Sequence, residues 1–244
     1  MTQLEKKRAL LLLPNLLGDL PHHEPFLPKS IDKAVKSLDG LIAESETAGR
    51  RFLGRFELEK DVRLIPISVY NKDTPDKDID FLLEPISKNN ERWGLISDAG
   101  LPCIADPGGK LVYRARRLGI PIQAFVGPSS IYLSLMLSGL QGQKFCFHGY
   151  LPFEKNFKIQ AIKNLEKKAL DNSETQIFIE TGFRNNDLLQ DLIATLSETT
   201  LLSIMWDISL PNQGGGTYTV AEWKASPLPN LHKRFAIFLV GKPW

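Results

Sequence analysis

Within residues 95–139 the chain twice runs through the same succession: an apolar stretch, a turn rich in glycine, proline and serine, then a helix-forming segment. Gly94-Leu95-Ile96 stops at Ser97-Asp98-Ala99-Gly100-Leu101-Pro102, a turn-forming cluster. Asp106-Pro107-Gly108-Gly109 then opens a helix expected over about residues 110–118, which Gly119 ends. Residues 120–126 read as a second strand. Gly127-Pro128-Ser129-Ser130 follows and starts a helix that stops near Gly139. Strand, loop and helix repeated in direct succession demand crossover connections between parallel strands, so the fold class is α/β. Such sheets take small ligands in the loops at the carboxyl ends of their strands.

The two loops suit that task. Glycine lets backbone approach a ligand closely and adopt positive φ. Ser129 and Ser130 fall where a helix N-terminus offers free N–H groups and a favourable dipole, and Pro128 fits the first helical position. A single loop of this kind is ordinary in an α/β protein. Two in succession, with Asp98 and Asp106 both in the first, point to a ligand site.

At 244 residues, 43% hydrophobic and 24% charged, the chain can bury a sizeable core in one large or two modest domains. Cys103 and Cys146 have neither disulfide nor zinc spacing, which fits a reducing compartment. The net charge of +2 does not by itself announce nucleic acid; a local patch would have to carry that role. Lys6-Lys7-Arg8 precedes the apolar run of residues 9–13, but the run is too short for a signal peptide and Pro14-Asn15 interrupts it. A buried first strand and a cytoplasmic protein without a membrane span are expected. His22 and His23 fall in a proline-bearing segment read as an exposed loop, with no further ligand at metal spacing, so no metal site is expected.

Residues 30–38 alternate like an amphipathic helix and residues 41–43 like a short strand. Glu44, Glu46, Arg50, Arg51 and Arg55 then form a charged cluster suited either to phosphate backbone or to ordinary ion pairs. Further strands are expected at 62–68 and 145–147, and a helix at 78–89 that contains Pro85. Residues 148–152 read as a hinge, which divides the chain into an N-terminal α/β domain (1–148) and a C-terminal α/β domain with a mixed sheet (149–244). The second domain is expected to hold a lysine-rich helix (153–170), a strand (176–180), a helix (186–196) and a strand (201–205). It closes with edge strands at 215–220 and 235–240.

SDAGLPCIADPG followed by VGPSSIYLSLMLSGL is similar to the paired signatures of the tetrapyrrole methylase superfamily of S-adenosylmethionine-dependent methyltransferases. Within it the chain resembles the bacterial ribosomal RNA small-subunit methyltransferase I branch, whose signatures read SDAG[TL]P…DPG and PGPSA with a following SGL. Gly18-Asp19 matches the G-N of that branch's first loop. Thr181-Gly182-Phe183-Arg184 stands where it reads F-Y-E-S-P-H-R, and Trp206-Asp207-Ile208-Ser209-Leu210 where it reads R-E-L-T-K. The chain departs from it at Leu210, where the branch has lysine, and at Gln213, where it has an acid.

The resemblance implies two α/β domains with a cofactor cleft between them, S-adenosyl-L-methionine as methyl donor, and a homodimer. Carried over by motif, the cofactor contacts are Pro14, Ser97, Asp98, Gly100, Leu101, Ser129, Ser130, Ile179 and Ile208. Glu180 and Asp207, each at the carboxyl end of a second-domain strand, are the candidate catalytic carboxylates. The implied acceptor is ribosomal RNA at a ribose 2'-hydroxyl. The alternatives are a small-molecule, tetrapyrrole-like methyltransferase or a non-catalytic cofactor-binding module.

Overall fold

In the computed structural model, which describes residues 7–244, the chain forms two compact units that meet in sequence between Ser129 and Ser130. The first contains β1 (Ala9–Leu12), α1 (Ser30–Lys36), β2 (Gly40–Ala43), α2 (Glu46–Leu53), β3 (Ile67–Val69), α3 (Ile79–Lys88), β4 (Arg92–Leu95), α4 (Gly109–Arg117) and β5 (Ile122–Ala124). Its strands form one parallel sheet in the order β3-β2-β4-β1-β5. Ile31, Val35, Phe52 and Leu53 of α1 and α2 pack with Leu11 and Leu41 in one core. Leu83, Ile86, Leu111 and Ala115 of α3 and α4 pack with Leu10, Ile42 and Leu95 in another. β1 therefore gives Leu10 to one core and Leu11 to the other, both fully buried, which is why its sequence is an unbroken apolar run.

Handedness puts the helices on those two faces. The connections from β1 to β2 to β3 travel toward one edge of the sheet, and those from β3 to β4 to β5 travel back toward the other. Right-handed crossovers in opposite directions place their helices on opposite faces. β1 and β4 are neighbours, so the loops leaving their carboxyl ends part there.

Several expectations for this unit change. Residues 62–68 are not one strand. The Asp61 side chain accepts from the Arg63 N–H at 2.9 Å and starts a 3₁₀ turn at Val62–Leu64, and β3 begins only after Pro66, which has no N–H for a ladder. His23 is not exposed. It is 5% accessible, its Nε2 lies 2.6 Å from Asp32 Oδ1, and its ring rests on Phe56 with centroids 4.3 Å apart.

The second unit contains α5 (Ser130–Ser138), β6 (Phe145–Tyr150), α6 (Lys155–Asn172), β7 (Thr175–Ile179), α7 (Asn185–Thr195), β8 (Leu201–Trp206), β9 (Gly214–Thr219), α8 (Val220–Ala225) and β10 (Ala236–Gly241). The sheet order is β6-β7-β10-β8-β9; only β6 and β7 run parallel, so the sheet is mixed as expected. Phe178 and Phe238 stack at its centre, 5.9 Å between centroids, within a core that also takes Leu188, Leu192 and Trp223.

Two details differ from the sequence reading. Residues 148–150 belong to β6, which carries an irregularity between Phe147 and Tyr150, and α5 packs against β8 and β10, so the change of unit comes well before residue 148. β9 and β10 are not paired edge strands: β9 is the edge, and β10 lies between β7 and β8, buried along its whole length. Among the described residues no helix is long and apolar enough to cross a membrane.

Candidate functional site

At the point where the loops of β1 and β4 part, a single buried side chain joins them. Asn15, just past β1, donates from Nδ2 to the carbonyls of Ser97 and Asp98 at 2.9 and 3.0 Å. Its Oδ1 accepts from the Leu16 N–H and from Arg55, each at 2.9 Å. Backbone bonds continue the join: the Asn15 N–H donates to Gly100 O at 2.8 Å, and the Gly100 N–H to Leu16 O at 3.3 Å. Every polar atom of the Asn15 amide thus finds a partner, as burial requires.

The loop after β4 is held in conformations that cost energy. Gly100, Cys103, Ala105 and Gly108 all have positive φ, from 67° to 144°. Gly100 is the one such residue inside the SDAGLP motif, and its φ of 69° suits glycine. Gly127, after β5, is required for a different reason: a Cβ there would lie 2.0 Å from the Cβ of Pro14. The loops following β1, β4 and β5 are therefore in mutual contact. Pro14, Ser97, Gly100 and Ser129 are buried among them, Leu101 is half-buried and Asp98 is exposed.

This end of the sheet is acidic. Glu44, the residue after β2, accepts the Asp98 N–H at 3.2 Å, and burial raises its pKa against the pull of that bond. Burial, then the charges of Glu44 and Asp98, push Asp106 up to about 6. The Ser97 hydroxyl is near enough to draw Asp106 the other way, yet it is buried without a hydrogen bond of ordinary geometry. Burial and Asp106 likewise raise the Cys103 thiol to about 11, so it is an unreactive neutral group. Among the described residues, no group of three or more His, Cys, Asp or Glu side chains is placed to hold a metal ion.

Arg50 of α2 and Arg55 just beyond it turn inward, while Arg51 is exposed. Arg50 donates to the carbonyls of Val62 and Ile65 at 2.6 and 2.7 Å, and the Arg55 side chain is 10% accessible, its charged form disfavoured by burial and by Arg51. Two of the three arginines read as candidate phosphate ligands are therefore fastening the fold.

The remaining expected site residues lie in the second unit: Ser130 opens α5, Ile179 ends β7, and Ile208 is buried just after β8. Glu180 and Asp207 follow β7 and β8. The Glu180 side chain is 2% accessible, and its Oε1 accepts the Thr181 N–H at 2.7 Å and the Arg184 Nε–H at 3.0 Å. Asp207 Oδ2 accepts from Arg234, and its Oδ1 accepts the Phe235 N–H at 3.1 Å. Both candidate carboxylates are thus engaged with arginine. Sequence reasoning missed Asn15 and the inward role of Arg55, whose contacts bridge 82 and 40 positions of chain.

No protein-family model matches the chain. It is 30% identical over 166 residues to the ribosomal RNA small subunit methyltransferase I of Thermotoga maritima, covering 68% of this chain and 70% of that protein. It is 29% identical over 209 residues to the protein of that name from Buchnera aphidicola, covering 86% and 68%. Among solved structures it is similar in fold to cobalt precorrin-4 methyltransferase, with TM-score 0.61, 12% identity and coverage of 96% and 95%. The same holds for uroporphyrin-III-C-methyltransferase of Thermus thermophilus, with TM-score 0.55, 16% identity and coverage of 97% and 95%.

Proposed function

Because the chain belongs to the ribosomal RNA small subunit methyltransferase I family, we propose that it transfers the methyl group of S-adenosyl-L-methionine to ribosomal RNA, at a ribose 2'-hydroxyl. The observation that carries the reading is the acidic, loop-bound end of the first unit's sheet. A carboxyl raised to about 6 by burial and then by the neighbouring acids Glu44 and Asp98, beside the buried Ser97 hydroxyl that lacks a hydrogen bond of ordinary geometry, fits a ligand bearing positive charge and polar groups. Pro14, Ser97, Asp98, Gly100, Leu101 and Ser129 hold the cofactor in this reading, largely through main-chain groups.

When bound, the cofactor supplies an electron-poor methyl on sulfur, open to in-line displacement. The chain's task is to orient donor and acceptor and exclude water. A ribose hydroxyl is a weak nucleophile until its proton is taken. Glu180 and Asp207 are the acceptors we put forward. On Glu180 the Thr181 and Arg184 bonds fall on Oε1, which leaves Oε2 for a proton. We further place the protein in the cytoplasm as a homodimer, which light scattering on the purified chain tests.

The direct test is incubation of purified protein with methyl-labelled S-adenosylmethionine and small-subunit RNA, followed by nucleoside mass spectrometry. Label in one 2'-O-methylated nucleoside is expected. Label in a porphyrin substrate instead, or tight cofactor binding with no transfer to any acceptor, overturns the reading.

A further inference from the structure

The loops after β6, after β7 and before β10 carry a set of side chains that the methyl-transfer chemistry does not use. Phe153, Phe183 and Phe235 are 75%, 70% and 65% accessible, an unusual state for phenylalanine and more so for three in connected loops. They are interleaved with cations. The Arg184 guanidinium lies 5.0 Å from the centre of the Phe153 ring, and Lys233 Nζ lies 5.6 Å from the centre of the Phe183 ring. His232 meets Phe183 edge-on at 5.6 Å. The scaffold beneath is fixed: the Lys233 N–H donates to Gly182 O at 2.8 Å, and a Cβ on Gly182 would come within 3.0 Å of the Lys233 Cα. Glu180 and Asp207 are turned inward onto arginines, while Glu154, beside Phe153, and Asp187, three residues after Arg184, stay exposed, so the cations nearest the rings are Arg184 and Lys233 on a surface of both signs.

We propose that Phe153 and Phe183, flanked by Arg184 and Lys233, form a stacking platform for unpaired bases of single-stranded RNA. The proposal rests on the methyltransferase reading and names how that substrate is gripped. Rings with open faces bind bases whose own faces are open, which a duplex hides and a splayed loop displays. Adjacent cations meet the phosphates that come with each base. Arg184 and Phe183 share a loop with Glu180, and the Phe235 N–H donates to Asp207 Oδ1, so the platform is built on the loops that hold the candidate proton acceptors, which themselves face inward.

The experiment measures binding of a short fluorescein-labelled single-stranded oligoribonucleotide, and of its duplex, to full-length protein by anisotropy. Phe153→Leu and Phe183→Leu keep the apolar bulk but lose the π face, and Phe183→Trp restores it. Single strand is expected to bind at least about tenfold tighter than duplex. Each leucine variant is expected to weaken single-strand binding by roughly 5- to 100-fold, with tryptophan near wild type. Lys233→Ala is expected to lower the salt slope by about one ion. Affinity for S-adenosylmethionine, read by calorimetry, stays unchanged in all of them.

Leucine variants that bind RNA like wild type overturn the platform, as does equal binding of strand and duplex or no RNA binding at all. A changed sedimentation coefficient with unchanged RNA affinity would make the patch an interface between copies and also overturn it. The two readings fail separately. Wild-type transfer to RNA with indifferent leucine variants sinks the platform alone, whereas absence of any transfer from wild type sinks the methyltransferase reading.

Discussion

Asp106 costs the folded chain stability at neutral pH. Its folded pKa of about 6 lies above the ordinary 3.8, so its stabilising contribution is fully present only below the ordinary value and is lost as pH rises through 6. Asp106→Asn removes the charge and is expected to stabilise the protein at pH 8 by on the order of 1 kcal/mol, after allowing for solvent screening of a half-buried group. The gain should shrink as pH falls through 6 and vanish below the ordinary value of 3.8, where Asp106 is neutral in the folded and unfolded chain alike. The same substitution is expected to weaken S-adenosylmethionine binding by about five- to tenfold, because a cationic ligand loses a counter-charge. Melting curves at the two pH values and calorimetry check the pair of effects. A residue that weakens the fold but strengthens binding behaves as a site residue and not as scaffold.

At the scale of elements, the loops of β1 and β4 act as one piece because Asn15 ties them. Asn15→Ala leaves two carbonyls and the Arg55 guanidinium without their partner, and is expected to destabilise the protein by about 2–4 kcal/mol in denaturant titrations. Much of this architecture was legible in the chain. The apolar run of β1, the motif loops and helices α4 and α5 follow from short-range pattern and turn chemistry, which act within a few residues. What sequence could not show were contacts made across the fold. Nothing local marks Asn15 as the tie or turns Arg50 and Arg55 inward. Nor does a short apolar run say which strands will flank it, so β10 read as an edge when its burial on both faces makes it central. β3 was misjudged for a local reason instead, since Asp61 and Pro66 outweigh the β-branched residues between them.

At the scale of the whole molecule, the units have cores that share no residue. Leu10→Ala empties space in the first and should cost about 2–5 kcal/mol there. Hydrogen exchange followed by mass spectrometry is expected to show lost protection in β1 and β4 with β7 and β10 unaffected; equal loss in both would mean that the units unfold as one. The placement of β10 also has a consequence for synthesis. The first sheet is complete once β5 has left the ribosome, but β7 and β8 have no strand between them until residue 241 has emerged. The roughly hundred intervening residues take about 5–20 s to translate. For that interval a finished lobe trails a half-built one in which β7, paired only with β6, and β8, paired only with β9, each have one edge unfilled, so a stalled or prematurely stopped nascent chain would present chaperones and proteases with open edges, however sound its first half.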